Sequence, residues 1–99
     1  YYYFGAVKIM KFEWDQDKAV SNFSNHGVSF DEAKTVFNDP LYVDFFDPDH
    51  SYNERRYIII GQSIDNRLLL VAYTEREDAI RLLSAREATR KERKNYEEG

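Results

Sequence analysis

Two apolar runs, Leu68–Tyr73 and Ala79–Ala85, are separated by little more than the charged Glu75-Arg76-Glu77-Asp78, and this spacing limits the chain more than any other feature. So short a reversal cannot make the crossover that parallel strands need, so the runs pair as antiparallel neighbours in the middle of a sheet. Their cargo is unusual. Arg67, Glu75, Arg76, Arg81, Ser84, Arg86 and Arg90 lie on or at the ends of these hydrophobic strands. Arginine is accommodated in such places mainly where an anion meets it.

The rest of the chain supplies partners for that pair. Phe12-Glu13-Trp14-Asp15 alternates apolar and acidic like a short edge strand. Asp15 or Asp17 then caps a helix running to about Asn25, with Ala19, Val20 and Phe23 as its apolar face and Gly27 as a left-handed C-cap. Ser29 and Glu32 stand at capping-box spacing, so a second helix starts at Phe30, buries Phe30, Ala33, Val36 and Phe37, and stops before Pro40. Leu41–Phe46 reads as a strand closed by the turn Asp47–His50, and Arg55–Gly61, with three successive isoleucines, as a strand buried on both faces. Thr89 and Glu92 form a second capping box, opening a helix Arg90–Glu98 that is charged almost all round. The order predicts an α+β domain: two N-terminal helices packed on a mainly antiparallel meander sheet, with a C-terminal polar helix across its rim. The sheet's other face, open and concave, is the expected place for a ligand.

With 99 residues, the chain has room for one domain and a modest core. We place that domain at residues 10–99, because Met10 is an ordinary translation start. Tyr1–Ile9 reads as a cloning or processing remnant or an upstream extension, whose aromatics would suit an extended edge segment. There is no cysteine, hence neither a disulfide nor a thiolate metal site. Apolar runs of about six residues fall far short of the roughly 20 that span a bilayer, and no signal-peptide hydrophobic region is evident, so a soluble cytoplasmic protein is expected. The net charge of −4 hides a division: residues 1–54 hold four Lys/Arg against ten Asp/Glu, whereas residues 55–99 hold ten against eight. Such a balance argues against histone-like coating of nucleic acid and leaves room for a focused cationic cleft.

Several chemistries drop out. His26 and His50 are far apart, and Asp44, Asp47 and Asp49 lack the glycine and terminal glutamate of a calcium loop, so they read as a solvated acidic turn and no metal or other cofactor is expected. Four scattered glycines make no phosphate loop, and Ser84 has no glycine elbow around it. Arginines and a few acids remain. Cleaving a phosphodiester without a metal requires a base for the ribose 2′-hydroxyl, an acid for the leaving oxygen and fixed cations for the phosphorane. Arginine suits the last role because its planar fork stays charged and binds phosphate oxygens in pairs. Strand periodicity puts Ile80, Leu82, Ser84 and Arg86 on one face and Arg81 on the other. Each arginine has a plainer reading in a surface ion pair. His26 is equally explained as a proton shuttle or as a partner for its helix's negative end, and Tyr96 as an anchor for the last helix or as an RNA-stacking ring.

The succession Asn25-His26-Gly27-Val28-Ser29-Phe30-Asp31-Glu32-Ala33, Val36-Phe37-Asn38-Asp39-Pro40, Glu54-Arg55-Arg56-Tyr57-Ile58-Ile59-Ile60-Gly61, Tyr73-Thr74-Glu75-Arg76 and Ile80-Arg81-Leu82-Leu83-Ser84-Ala85-Arg86-Glu87-Ala88-Thr89-Arg90 closely resembles the BrnT family of bacterial toxins. The likeness runs from Met10 to Glu98. It implies a fold similar to RelE and ParE toxins, RNA cleavage that arrests translation, and a BrnA-type ribbon-helix-helix antitoxin. That antitoxin neutralises the toxin in a two-plus-two complex and alone contacts operator DNA. The implied catalytic residues are Glu75, Arg76, Arg86, His26 and Ser84, and the implied RNA contacts are Arg55, Arg67, Arg81, Arg90 and Tyr96. Arg76, Arg81 and Arg86 would hold one phosphate on a single open side of the sheet, Glu75 or His26 would act as base, and Ser84 would position a bound oxygen. Asn25 and Glu87 stand where the family commonly has lysine, which removes positive charge beside those contacts. The rival reading is a noncatalytic or weakened module that binds its antitoxin and autoregulates the operon.

Overall fold

The computed structural model describes residues 10–99, so the expectation for Tyr1–Ile9 lies outside the described residues. The chain forms β1 (Lys11–Glu13), α1 (Gln16–His26), α2 (Phe30–Ala33) continuing as a 3₁₀ turn over Lys34–Asn38, β2 (Val43–Phe46), β3 (Arg56–Gln62), β4 (Leu68–Arg76), β5 (Ala79–Glu87) and α3 (Arg90–Glu98). The five strands make one sheet in the order β1-β5-β4-β3-β2. From β2 to β5 it is the antiparallel meander read from the sequence, whereas β1 joins parallel to β5, so the sheet is mixed.

Local chemistry sets most boundaries. Asp15 accepts from the amides of Asp17 and Lys18 to start α1, and Gly27, at φ 68°, ends it. Ser29 accepts from the Glu32 amide, but Glu32 does not return the favour: its carboxylate is buried against Arg67 and Ser63, so only half the expected capping box forms. At Thr89 and Glu92 both halves are present. The reversal between β4 and β5 is tighter than the charges suggested. Both strands run on until only Glu77 and Asp78 remain between them, with Glu77 at φ 51°.

One core lies between the sheet and the helical segment: Val28, Phe30, Ala33 and Val36 pack against Ile59, Leu69, Val71, Tyr73, Ile80, Leu82 and Ala85. Phe30 is 2% exposed, and burying such a side chain contributes on the order of 2 kcal/mol. Phe12, Phe37, Tyr73, Tyr57 and Phe46 extend this layer as a chain of rings, with successive centroids 5.1, 5.1, 5.6 and 5.9 Å apart. Gly61 lets the 3₁₀ turn approach β3, since a Cβ there would lie 3.0 Å from the Val36 carbonyl oxygen. Val20 and Phe23, expected on the buried face of α1, are exposed. The buried residue of that helix is Asn22, which faces the β5 backbone.

A second, smaller cluster occupies the opposite face, where Tyr96 of α3 packs with Ala88, Leu83, Leu70 and Val43 around Ile58, Ile60, Leu68 and Ala72. The C-terminal helix therefore covers part of the face expected to stand open. Tyr96 also donates to Asp39 at 2.6 Å. Burial, aided by that carboxylate, pushes the Tyr96 hydroxyl up to about 12.

Candidate functional site

A bulge governs which side chains share a face. Ala72 pairs with Ser84 and Tyr73 with Leu82, so Leu83 is the extra residue on β5 and the alternation reverses there. Ile80 and Leu82 point into the helix-side core, and so does Ala85. Arg86, opposite Leu70, therefore lies on the α3 side rather than with Ile80 and Leu82 as strict alternation predicted.

Beyond the reach of α3, the second face carries a transverse row. Glu13 of β1 pairs with Arg81 of β5, Arg81 with Thr74 of β4, and Thr74 with Arg56 of β3. Their strand neighbours Phe12, Ile80, Tyr73 and Tyr57 all pack on the helix-side core, so the row points the other way. Arg76, two residues beyond Thr74, shares its face. Around the row, Arg81 Nη1 donates to Glu13 at 2.9 Å, and Arg76 grips Glu54 through Nε and Nη2, both at 2.8 Å. Hydrogen bonding from Arg76 holds the Glu54 carboxyl below its ordinary range and raises Arg76. Arg81 adds slightly to the lowering of Glu54, and Glu13 to the raising of Arg76. Arg76 and Glu54 are nearly half exposed, so water and salt screen the pair and an incoming anion can compete for the guanidinium.

A family model for the ribonuclease toxin BrnT of type II toxin–antitoxin systems matches residues 14–92. The chain belongs to the BrnT family. A comparison with curated proteins finds no match. Among solved structures it shares its fold with the 1.1 Å-resolution crystal structure of the Brucella abortus ribonuclease toxin BrnT, at a TM-score of 0.61 and 21% identity over 83% of this chain and 100% of that one.

Within this BrnT fold, the residues singled out from the sequence divide into separate groups. Arg76 and Arg81 share the open face, whereas Glu75, between Thr74 and Arg76 and opposite Ile80, is exposed on the other side of the strand. Arg86 does not join them. It lies five residues along β5 from Arg81, roughly 16 Å away at the usual strand rise, and forks onto Glu92 with both contacts at 2.8 Å. That pairing ties β5 to the first turn of α3 and, with the Thr89 amide, holds the Glu92 carboxyl down at about 2. Arg67 lies at the other end of β4, on the helix side, bonded to buried Glu32, to Glu87 and to the Gly27 carbonyl. A single phosphate seated among the arginines after residue 66 is therefore not what the fold builds.

His26 and Ser84 do come together. With Lys18, Ser21 and Asn25 they line a groove of about 410 Å³ between α1 and β5. Arg55 stacks its guanidinium 4.9 Å above the Phe46 ring, and Arg90 is exposed in the first turn of α3. Tyr96 is held in the second cluster, as an anchor would be. Arg56 and Thr74 were not singled out from the sequence, because only strand register brings them beside Arg81. Among the described residues there is no group of three or more His, Cys, Asp or Glu able to hold a metal ion, and no helix long and apolar enough to cross a membrane.

Proposed function

We propose that this chain is the toxin of a type II toxin–antitoxin pair, an endoribonuclease that cleaves RNA by 2′-hydroxyl attack without a metal and thereby arrests translation. The observation that supports this reading is the grouping of Arg76 and Arg81 on one open sheet face. In this scheme the two guanidinium groups bind the scissile phosphate and offset the charge that builds on the phosphorane, a base takes the 2′ proton, and the leaving 5′-oxygen is protonated from water. Glu75, whose side chain starts from the opposite face, serves as that base only by reaching around the strand's exposed end. The groove holding His26 and Ser84 lies along β5 and serves the flanking RNA. Arg55 and Arg90, both exposed, extend the contact with its backbone. A BrnA-like ribbon-helix-helix antitoxin neutralises the toxin in a two-plus-two complex, and operator DNA is bound only through that partner. Kinship with RelE and ParE toxins belongs to the same reading, and so does action in the cytoplasm.

The test is incubation of purified protein with total RNA in the presence of a chelator. Cleavage by the wild type that is lost in Arg76→Ala supports the nuclease. One observation favours the alternative: Arg67, Arg76, Arg81 and Arg86 each meet a carboxylate within 3.0 Å. A module whose arginines are internally neutralised would bind its antitoxin and leave RNA intact.

A further inference from the structure

Thr74 is 3% exposed, and its Oγ1 is buried with no hydrogen-bond partner. A buried hydroxyl left unpaired is unfavourable, and the other buried side-chain atom without a hydrogen bond among the described residues, Arg56 Nε, is on the neighbouring strand. Thr74 lies between two arginines. Arg56 on β3 and Arg81 on β5 are its direct cross-strand neighbours, so their Cα atoms are about 10 Å apart with Thr74 midway. Each arginine is held from its outer side by an acid. Arg81 donates through Nη1 to Glu13, and Arg56 Nε lies 3.4 Å from Asp47 Oδ2, within ion-pair range but without hydrogen-bond geometry. Arg81 Nε and Nη2, and Arg56 Nη1 and Nη2, donate to no acceptor among the described residues. Two forks with donors to spare, flanking an unpartnered hydroxyl, are complementary to a tetrahedral anion that accepts from all three.

We infer that Arg56, Thr74 and Arg81 form the seat of an RNA phosphodiester, with the two guanidinium groups on its non-bridging oxygens and the Thr74 hydroxyl donating from below. Arg56 and Arg81 keep 29% and 27% of their side-chain surface exposed, so their ends can turn toward a ligand and uncover the hydroxyl. Glu13 and Asp47 act as positioning residues that hold the arginine stems apart. The inference rests on the nuclease reading and adds to it two residues, Arg56 and Thr74, that hold the substrate beside Arg76.

The experiment measures binding of a 2′-O-methyl RNA oligonucleotide, which cannot supply the attacking hydroxyl, to the wild type and to Thr74→Val, Thr74→Ser and Arg56→Gln. Thermal melts check that each variant is folded. Loss of the hydroxyl or of the fork should weaken binding roughly 10-fold, while Thr74→Ser binds like the wild type. Because the hydroxyl has no partner in the free chain, Thr74→Val should melt no lower than the wild type. Unchanged affinity in Thr74→Val and Arg56→Gln overturns the seat, as does a wild type that fails to bind. A Thr74→Val variant with lowered melting temperature and full affinity would mark the hydroxyl as structural and also overturn it. Parallel digestion of unmodified RNA separates the two ideas. Binding through these residues without cleavage keeps the seat and removes the nuclease, whereas cleavage with unaffected variants does the reverse.

Discussion

Asn22 and Ala85 are joined by two hydrogen bonds: Asn22 Oδ1 accepts from the Ala85 amide at 3.0 Å, and Asn22 Nδ2 donates to the Ala85 carbonyl at 2.8 Å. The same Nδ2 reaches the Val28 carbonyl at 2.9 Å. One side-chain amide thus stands in for a neighbouring strand where β1, only three residues long, no longer covers β5. Replacing Asn22 with alanine should lower stability by about 3 kcal/mol, because it strands three buried backbone groups. Chemical denaturation gives the magnitude, and faster hydrogen exchange at the Ala85 amide would locate the lesion.

Arg67 should act through the fold rather than through RNA. Its guanidinium serves Glu32, which is 8% exposed, and this contact holds the Glu32 carboxyl below its ordinary range. In Arg67→Ala that acid is buried without its main partner, a loss of about 2–3 kcal/mol once the arginine's own exposure is allowed for. A fall in melting temperature, with RNA cleavage preserved in the folded fraction, is the expected outcome.

Arg76 and Arg86 should separate in the opposite sense. Arg76→Ala removes a screened surface pair, so the melting temperature should hardly move while RNA cleavage falls by 100-fold or more, on the order of what one transition-state cation supplies. In Arg86→Ala the clamp on α3 goes, and stability should fall by about 1–2 kcal/mol with cleavage largely kept. Melting curves beside RNA digestion for the two variants decide the matter, and equal stability with equal loss of activity would contradict the division drawn between them.

The Arg86–Glu92 clamp also predicts an acid-sensitive helix. The Glu92 carboxyl is depressed from 4.5 to about 2, first by hydrogen bonding to Arg86. A depressed carboxylate adds stability that is complete above its unfolded value and disappears as pH falls toward the folded one. Between about pH 4.5 and 2 the wild type should therefore lose on the order of 2 kcal/mol more than Glu92→Gln, whose amide still suits the capping box but carries no charge. Unfolding measured across that window gives the difference directly.

Features governed by neighbours in sequence were legible. The caps at Asp15 and Thr89, the left-handed Gly27 and the β3–β4–β5 meander all follow from residues a few positions apart. What escaped was set by contacts distant in sequence. Glu32 looks like a capping residue until Arg67 arrives 35 residues later. The extra residue at Leu83 carries no mark in the sequence, and it alone moves Arg86 to the other side of the sheet from Ile80. Arg56 and Thr74 read as ordinary strand residues, because their significance lies in being level with Arg81.

At one margin of the sheet, among the described residues, the three-residue β1 gives way to a helix whose amide occupies the β5 backbone. At the other margin, β2 leaves Phe45 and Phe46 nearly half exposed and is an edge strand with one side unpaired among the described residues. Two copies joined at β2 use that border on both, and it offers nothing for a third to follow. Association of this protein through the β2 border should therefore close as a pair and not run on into a fibre.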